Sequence, residues 1–276
     1  MDYIIAVRSY KRSHLFPKMT YSMLEANNLL DRLYVFVANE EEAELYTASL
    51  QDAVPVIVGA LGGAEATSAI IDYFPAGKRI AFLDDDLKSF YYFDEEKNLN
   101  RNATNLGAFL QEGFDLLDTY KVTVFTFSFG TNKMFLKGKP RWELRPYHIT
   151  GGFFCARNSE ILKVPAGNGH NDDCIRTANF LSKNNCILLF WWAGFTTVLR
   201  KQEGGLQALG RESMQETTLE QWESFPLLQR YYIFPKMDKN GLFRPKLKTL
   251  PQLRKIFAEE GRHLGYESSA IRQSKG

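Results

Sequence analysis

The sequence lacks several features that would assign a protein to a familiar class at once. Its three cysteines, Cys155, Cys174 and Cys186, are an odd number without CxxC spacing, which argues against a disulfide framework and a zinc site. No apolar run reaches membrane-spanning length, and the five apolar residues before Arg8 are too few for a signal peptide. We therefore expect a cytosolic protein without a membrane partner.

Nucleotide-binding glycine patterns are also missing. Neither GxGxxG nor a Walker loop occurs, so a dehydrogenase or a P-loop enzyme lacks its fingerprint. A net charge of +2 does not by itself require a nucleic-acid partner. What remains is a chain of 276 residues, 45% hydrophobic and 24% charged, which is long enough for one large α/β domain or two small ones.

The most informative stretch is KRIAFLDDDL, residues 78–87. Four apolar residues at strand length run directly into three acids, and the carboxyl ends of strands are where ligands bind in an open α/β sheet. Because side chains alternate along a strand, we expect Asp84 and Asp86 to face one way and Asp85 the other. Two carboxylates on one side suit Mg2+ or Mn2+. The alternative is an acidic loop that caps the following segment.

Before this stretch, strand patterns alternate with helical patterns. The predicted strands and helices cover, in order, residues 3–7, 19–30, 33–37, a helix opening at Glu40, 54–58 and 64–73. This alternation implies a mostly parallel sheet with right-handed crossovers and helices on its faces.

Two loops of this first half hold residues suited to a nucleotide. The loop after the first strand contains Arg8, Tyr10 and Arg12, whose charges suit phosphates and whose ring suits stacking on a base. Gly62 and Gly63 precede a predicted helix, where glycine lets a ligand approach the backbone and helix amides attract anions. A solvated turn and an ordinary helix start are the alternatives.

The second half begins with a predicted helix at 106–120 and a strand at 122–129. A further strand, 149–158, starts with Gly151 and Gly152, which either admit another group close to the backbone or mark a bulge. A glycine-rich loop containing His170 then leads to Asp172 and Asp173, which also suit the start of a helix.

A strand at 186–192 is followed by Arg200 and Lys201, which would neutralise a leaving diphosphate. From residue 229 the composition becomes basic: residues 229–262 hold nine Lys or Arg against three acids, with Tyr and Phe interleaved. Basic residues mixed with aromatics suit a phosphate backbone and unstacked bases, whereas a solvated basic tail is the alternative.

This order of elements, with FLDDDL as a DxD motif, resembles the nucleotide-sugar domain of GT-A glycosyltransferases. The resemblance implies that Asp84 and Asp86 hold a divalent metal on the donor diphosphate, with Asp86 the direct ligand and Asp84 nearer the ribose or sugar. We expect Asp85 of the same triplet to contact the donor as well. It also implies that Gly151, Gly152 and His170 lie on the acceptor side, and that Asp173, with Asp172 in reserve, is the base of an inverting reaction. No histidine near the strand at 186–192 supplies a third metal ligand.

The segments VRSYKRSHLF, FLDDDL, GGFFCARN and NDDCIRTANFL together resemble the TET-associated glycosyltransferases, which include the base J glucosyltransferase and bacteriophage enzymes. The resemblance covers residues 3–210. It implies a UDP-sugar donor, glucose or a pentose such as arabinose, and a hydroxymethylated pyrimidine in DNA, 5-hydroxymethylcytosine or 5-hydroxymethyluracil, as acceptor. A phage-encoded chain would act in the host cytoplasm.

The expected organisation is a GT-A-like catalytic domain over 1–210, with a nucleotide-sugar half at 1–100 and an acceptor half at 101–210. A basic, aromatic extension covers 211–276. Two other functions stay open: a GT-A transferase acting on a glycan, lipid or protein, and a DNA-binding protein of the same fold with an inactive metal site.

Overall fold

The computed structural model describes residues 2–96, 98–101, 103–128, 139–167, 171–197, 211–237 and 243–262, apart from the side chains at 211–215, 235 and 244. Its strands, in chain order, are β1 (Tyr3–Arg8), β2 (Leu33–Val37), β3 (Val56–Val58), β4 (Arg79–Asp84), β5 (Leu87–Phe93), β6 (Leu99–Asn100), β7 (Val124–Phe127), β8 (Trp142–Arg145), β9 (Phe153–Arg157), β10 (Ile187–Phe190), β11 (Ala193–Thr197), β12 (Tyr232–Met237) and β13 (Phe243–Leu247). Its α-helices are α1 (Thr20–Ala26), α2 (Glu40–Leu50), α3 (Gly63–Tyr73), α4 (Leu106–Tyr120), α5 (Asp172–Lys183), α6 (Arg211–Ser224), α7 (Pro226–Tyr231) and α8 (Leu250–Glu259).

An eight-stranded sheet forms the centre of the molecule in the spatial order β3-β2-β1-β4-β9-β7-β10-β8. The first four strands in this order run parallel, and β7 and β10 run parallel to each other. Strands β9 and β8 are antiparallel to their neighbours. The predicted α/β class with a mostly parallel sheet is therefore confirmed.

The alternation of side chains along the strands divides the core between the two faces of the sheet. Ile5, Val7 and Leu83 pack on one face with Phe125 from β7. On the other face, Phe82 of β4 stacks on Phe154 of β9 with ring centroids 4.5 Å apart. The parallel strands β1 and β4 are thus buried on both faces of the sheet, as expected for parallel strands covered by helices.

Register explains why polar side chains meet at one edge of this sheet. Strands β1 and β4 pair in parallel so that Arg8 lies beside Asp84. On the other side of β4, the antiparallel strand β9 begins just after Gly152, whose carbonyl accepts a hydrogen bond from the Asp84 amide at 3.0 Å. The ends of three neighbouring strands therefore bring these residues together.

The observed bounds of some strands and helices differ from the predicted ones. Helix α4 has the predicted bounds, whereas β9 begins at Phe153, so Gly151 and Gly152 lie in the turn before it and not in the strand. The predicted helix at 19–30 is shorter and covers Thr20–Ala26.

The segment after residue 210 packs onto the sheet domain. Leu228, Tyr232 and Phe257 share an apolar cluster with Phe82 and Phe154 of the central strands. Helix α7 contacts α5, and β12 and β13 form a separate two-stranded hairpin. Among the helices in the described ranges, none has both the length and the apolarity required to cross a membrane.

Candidate active site

Arg8, the last residue of β1, joins four separate segments of the chain. Its Nε donates to Asp84 Oδ1 at 2.9 Å, and its Nη1 donates to Asp172 Oδ2 at 3.1 Å. The same guanidinium donates to the carbonyl of Gly63 at 2.7 Å and to that of Gly151 at 3.1 Å. The carboxylates of Asp84 and Asp172 outweigh the effect of burial and raise the pKa of Arg8. Arg8 is therefore a fixed positive charge between the two acidic groups of the site.

The three acids after β4 do not continue the strand. Strand β4 ends at Asp84, and Asp85 and Asp86 form the turn that leads to Leu87. The Thr20 hydroxyl closes this turn by donating to the Asp84 carbonyl at 2.8 Å and accepting from the Leu87 amide at 3.0 Å. Strand alternation does not extend through a turn, so the predicted common side for Asp84 and Asp86 has no basis in strand geometry.

Asp85, which was predicted to contact the sugar donor, is instead directed into the protein. It is 6% exposed, and its carboxylate accepts hydrogen bonds from Arg12 Nη1 and from the Ser9 hydroxyl, both at 2.5 Å. Burial outweighs these contacts and raises the pKa of Asp85. Arg12 is thereby held by a carboxylate in the interior, and Tyr46 closes the network through a hydrogen bond with Ser9.

Asp86 carries the least compensated charge of the three. Its nearest cation in the described structure is Arg12 Nη1 at 3.9 Å, which lies much closer to Asp85. Burial, with the negative charges of Asp84 and Asp85, raises the pKa of Asp86 to about 6. A carboxyl group with such a pKa gains from a bound cation, because a cation favours the ionised form.

The acid turn fits a divalent cation. Asp84 uses Oδ1 for Arg8, and its Oδ2 faces Gly152, where an added Cβ would lie 3.1 Å away. Hard oxygen ligands from Asp84 and Asp86 match what Mg2+ and Mn2+ prefer. In the part of the chain that the structure describes, no third His, Cys, Asp or Glu groups with these two as a ligand. The remaining ligands would therefore be water and the phosphates of a bound nucleotide.

The glycine pair before β9 lies between the two acidic groups. A Cβ on Gly151 would lie 3.3 Å from the Cβ of Asp173, just as one on Gly152 would crowd Asp84. The prediction that these glycines admit another group close to the backbone is confirmed, and the admitted groups are the two aspartates. Their acceptor-side role stays a prediction.

Helix α5 begins with two aspartates in different environments. Asp172 is 8% exposed at its side chain, and its Oδ2 accepts from Arg8 at 3.1 Å and from Arg176 Nη2 at 2.8 Å. Burial alone would raise the pKa of Asp172, but Arg176 and Arg8 lower it. Asp172 is thus the anion that binds both the buried Arg176 and the partly buried Arg8.

Asp173 keeps 30% of its side chain exposed. His148 Nε2 lies 3.0 Å from its Oδ2, and the Cys174 amide donates to its Oδ1 at 2.7 Å. Burial would raise the pKa of Asp173, but His148, Arg176 and the amide outweigh it and lower the pKa to about 2. Asp173 is therefore an ionised and accessible carboxylate at neutral pH.

Ligand atoms of His148, Asp173 and Cys174 lie within 4.8 Å of one another. Burial raises the pKa of the Cys174 thiol well above its ordinary value, which favours S–H over the thiolate that binds metals. Both ring nitrogens of His148 already have partners, Asp173 and the Tyr232 hydroxyl. We therefore interpret this group as a hydrogen-bonded chain and not as a metal centre.

The remaining predicted residues divide into two sets. Gly62 has a φ of +109°, in the left-handed region that favours glycine, and it precedes the Gly63 carbonyl that Arg8 binds. Tyr10 lies in the loop after β1, with the Lys11 ammonium 5.2 Å from its ring centroid. The roles of both loops in sugar-donor binding stay predictions. The other set, Arg200, Lys201 and His170, lies outside the described residues.

The sequence interpretation missed three contributors to the site. Arg176 follows Asp172 by four residues on α5, a spacing that predicts an ion pair and could have been used. Thr67, one turn into α3, accepts a hydrogen bond from Arg8 Nη1 at 2.9 Å. His148 lies 25 positions before Asp173 in a segment without regular structure, and no local pattern links the two residues.

No protein-family model matches the chain, and no curated protein sequence matches it. The chain is similar to S. aureus TarS 1-349 in complex with UDP-GlcNAc, at 13% identity and a TM-score of 0.46, over 80% of this chain and 66% of that one. It is also similar to the mannosyltransferase PcManGT from Pyrobaculum calidifontis in complex with GDP-Man and Mn2+, at 13% identity and a TM-score of 0.46, over 67% of this chain and 54% of that one.

A third similar structure is a CMP:2-keto-3-deoxy-manno-octonic acid synthetase complexed with CTP, at 10% identity and a TM-score of 0.44, over 72% of this chain and 93% of that one. The chain spans less than two thirds of the length of the TarS fragment and of the mannosyltransferase. The activities of these proteins are not carried over to this chain on such likeness.

The raised pKa of Asp86 predicts a stability change on neutralisation. Between about pH 4 and pH 6 the unfolded chain ionises Asp86 while the folded chain keeps the proton, so ionisation destabilises the metal-free fold increasingly up to pH 6. We expect Asp86→Asn to raise the free energy of unfolding at about pH 7.5 by up to about 3 kcal/mol, and by much less at about pH 4. Urea unfolding at both pH values measures this.

Asp31→Asn, at a side chain that is 70% exposed, is the matched control and should change the free energy of unfolding little. Addition of Mn2+ should stabilise the wild type more than Asp86→Asn, because a ligand that binds the folded state adds to stability. Equal free energies of unfolding for Asp86→Asn and the wild type at the higher pH would contradict the inference that the charge of Asp86 is uncompensated.

Proposed function

We propose that the chain is a metal-dependent glycosyltransferase that transfers a sugar from a UDP-sugar to a hydroxyl group. The observation that supports this most is the pairing of two acidic groups across Arg8. One group, Asp84 and Asp86, lacks a full counter-charge and suits a divalent cation, whereas the other presents an accessible carboxylate, Asp173. A cation site beside a base is what transfer from a sugar diphosphate requires.

In this proposal Asp84 and Asp86 hold Mn2+ or Mg2+ with the diphosphate of the sugar donor. The bound cation supplies positive charge to the leaving diphosphate. The Gly62–Gly63 turn and Tyr10 lie on the sugar-donor side by the same proposal, with glucose or a pentose such as arabinose as the sugar. Arg8 and Arg12 keep the acid turn in place because each is bound to one of its carboxylates.

Of the two aspartates on α5, Asp173 suits the role of the base. A base has to reach the acceptor hydroxyl, and Asp172 is buried with its Oδ2 shared by two arginines. In the proposed step the acceptor oxygen forms a bond to the anomeric carbon, and Asp173 takes the hydroxyl proton. The bond from that carbon to the phosphate oxygen breaks, its electron pair leaves with UDP, and the anomeric configuration inverts.

For the acceptor we propose a hydroxymethylated pyrimidine in DNA. Support comes from the β12–β13 hairpin, which exposes Phe234 and two lysines, Lys236 and Lys246, on the segment that also contributes Tyr232 to the site. Exposed aromatic and basic side chains suit unstacked bases and phosphates. The modified base would have to leave the duplex stack, at a cost of a few kcal/mol, to reach a carboxylate in a cleft.

A glycan acceptor is favoured by a different observation. Two arginines of the C-terminal segment, Arg230 and Arg262, form ion pairs with Glu260. Their charges are therefore partly compensated within the protein, which weakens their attraction for a phosphate backbone.

The transferase proposal predicts which substitutions abolish turnover. We expect the wild type with Mn2+ to release UDP from at least one UDP-sugar, and Asp86→Ala to lose both turnover and metal-dependent UDP binding because the cation site is incomplete. Asp173→Asn should reduce kcat by about a hundredfold or more while leaving UDP binding intact, since only the base is lost. UDP release and UDP calorimetry measure the two effects.

Asp94→Asn, at an exposed residue after β5 whose carboxylate accepts hydrogen bonds from Asn98, is the control for both assays. If the wild type releases no UDP from any sugar donor and binds no UDP with Mn2+, the transferase proposal fails.

The acceptor proposal predicts a steep dependence on salt. A protein that neutralises several phosphates releases counterions, so its affinity for hydroxymethylated duplex DNA should fall steeply between about 50 and 200 mM salt. Lys236→Gln and Lys246→Gln should each weaken binding and reduce the slope by about one. Fluorescence anisotropy at several salt concentrations measures the slope, and mass spectrometry of the DNA detects the added sugar. Negligible, salt-independent binding would favour the glycan acceptor instead.

A further inference from the structure

We infer that Tyr232, from the C-terminal segment, and His148 together aim the carboxylate of Asp173, so that this segment is part of the active site. The inference rests on the proposed function for the role of Asp173. His148 Nδ1 lies 2.7 Å from the Tyr232 hydroxyl, and His148 Nε2 lies 3.0 Å from Asp173 Oδ2. Both are positioning residues, because they act on the substrate only through Asp173.

The direction of these hydrogen bonds follows from the chemistry of the groups. An ionised carboxylate only accepts, so His148 Nε2 carries the hydrogen in its bond to Asp173. In a neutral ring the other nitrogen is then an acceptor, so the Tyr232 hydroxyl donates to Nδ1. With a neutral imidazole the chain therefore runs from Tyr232 through His148 to Asp173, and the hydrogen of the ring lies on Nε2.

Thr177 does not replace Tyr232 in this role. Its single hydroxyl hydrogen is directed to the Asp173 carbonyl at 2.7 Å, and its oxygen accepts from the Ile149 amide at 2.9 Å. It lies 3.5 Å from His148 Nδ1, at the limit of a hydrogen bond. Loss of the Tyr232 hydroxyl thus leaves Nδ1 without a close donor and frees the ring to change tautomer.

A change of tautomer at His148 would break its hydrogen bond to Asp173. With hydrogen on Nδ1, the Nε2 lone pair would face the Asp173 carboxylate and the bond would be lost. Among the described residues, Asp173 would then keep one hydrogen-bond donor, the Cys174 amide on Oδ1. A base has to point at the hydroxyl that it deprotonates. If the Asp173 carboxylate turns away from the acceptor, kcat should fall while the affinity of the enzyme for the sugar donor stays the same.

The packing of the C-terminal segment makes Tyr232 a rigid support. Tyr232 is 2% exposed, and burial raises the pKa of its hydroxyl well above the ordinary value, so it stays a hydrogen-bond donor. It is the first residue of β12, directly after α7, which contacts α5. The segment that supports the base also carries the exposed hairpin, so contact with an acceptor at the hairpin and alignment of Asp173 share one structural element.

The neighbouring Tyr231 provides a matched control. It is fully buried like Tyr232, but its hydroxyl accepts from Arg262 Nη2 at 2.9 Å and lies 3.4 Å from Glu260 Oε1. Tyr231→Phe and Tyr232→Phe each remove one buried hydroxyl of the same segment. Only Tyr232→Phe should affect the active site.

Two separate experiments measure the tautomer of the His148 imidazole and the rate of turnover. In protein labelled with 15N-histidine, two-bond 1H–15N spectra report the tautomer of each ring, and His148→Gln assigns the His148 signals among the four histidines. We expect the wild type and Tyr231→Phe to show His148 with hydrogen on Nε2, and Tyr232→Phe to lose this pattern. In the turnover assay, Tyr232→Phe should lower kcat by about tenfold or more, with KM for the UDP-sugar changed less than about twofold.

Each outcome is informative. An unchanged His148 spectrum and unchanged kcat in Tyr232→Phe would overturn the inference, as would an equal fall in kcat for Tyr231→Phe, which would indicate a general structural effect. If the wild type shows no turnover but Tyr232→Phe still changes the His148 tautomer, the hydrogen-bonded chain stands and the transferase proposal fails. The experiment thereby distinguishes failure of the positioning role of Tyr232 from failure of the transferase proposal.

Discussion

The site depends on the ion pairs and hydrogen bonds that the guanidinium of Arg8 makes. The guanidinium binds Asp84 on one side and Asp172 on the other, together with carbonyls of the two glycine turns. Without this charge, Asp84 would lose its ion-pair partner and Asp172 would keep only Arg176 among the described residues, so the two carboxylates would repel each other across the strand ends. The acid turn after β4 and the start of α5 are thus held at a fixed separation by one side chain.

Charge compensation also separates the acids by role. Asp85 has Arg12, and Asp172 has Arg8 and Arg176, so both are satisfied inside the protein. Asp86 and Asp173 differ: one lacks a close cation, and the other is ionised, accessible and held by His148. The two proposed functions, cation binding by Asp86 and proton acceptance by Asp173, therefore fall on the acids that are not fully paired inside the protein.

Much of the fold followed from local sequence patterns. The alternation of strands and helices predicted the parallel part of the sheet, and the run from Ile80 to Leu83 predicted β4, because apolar periodicity and chain direction are local properties. The acids at its end were also recognisable. Strand alternation failed at Asp86, since a turn of two residues follows Asp84 and side-chain direction there depends on Thr20 from a distant segment.

The partners within the site could not be predicted in this way. Arg8 and Asp172 are separated by 164 positions, and His148 and Tyr232 by 84. The basic C-terminal sequence also gives no local sign that Arg230 and Arg262 pair with Glu260, or that Tyr232 bonds to His148 in the candidate site. Such assignments depend on long-range packing, which composition does not report.

By the proposed function, the acids after β4 bind a divalent cation together with a nucleotide diphosphate. Electron paramagnetic resonance of free Mn2+, titrated with protein in the presence and absence of UDP, measures this binding. We expect about one Mn2+ to be taken up per chain when UDP is present, weaker uptake without UDP, and loss of both in Asp86→Ala. Mn2+ uptake that is absent with UDP, or that is unchanged by Asp86→Ala, would contradict the proposed function.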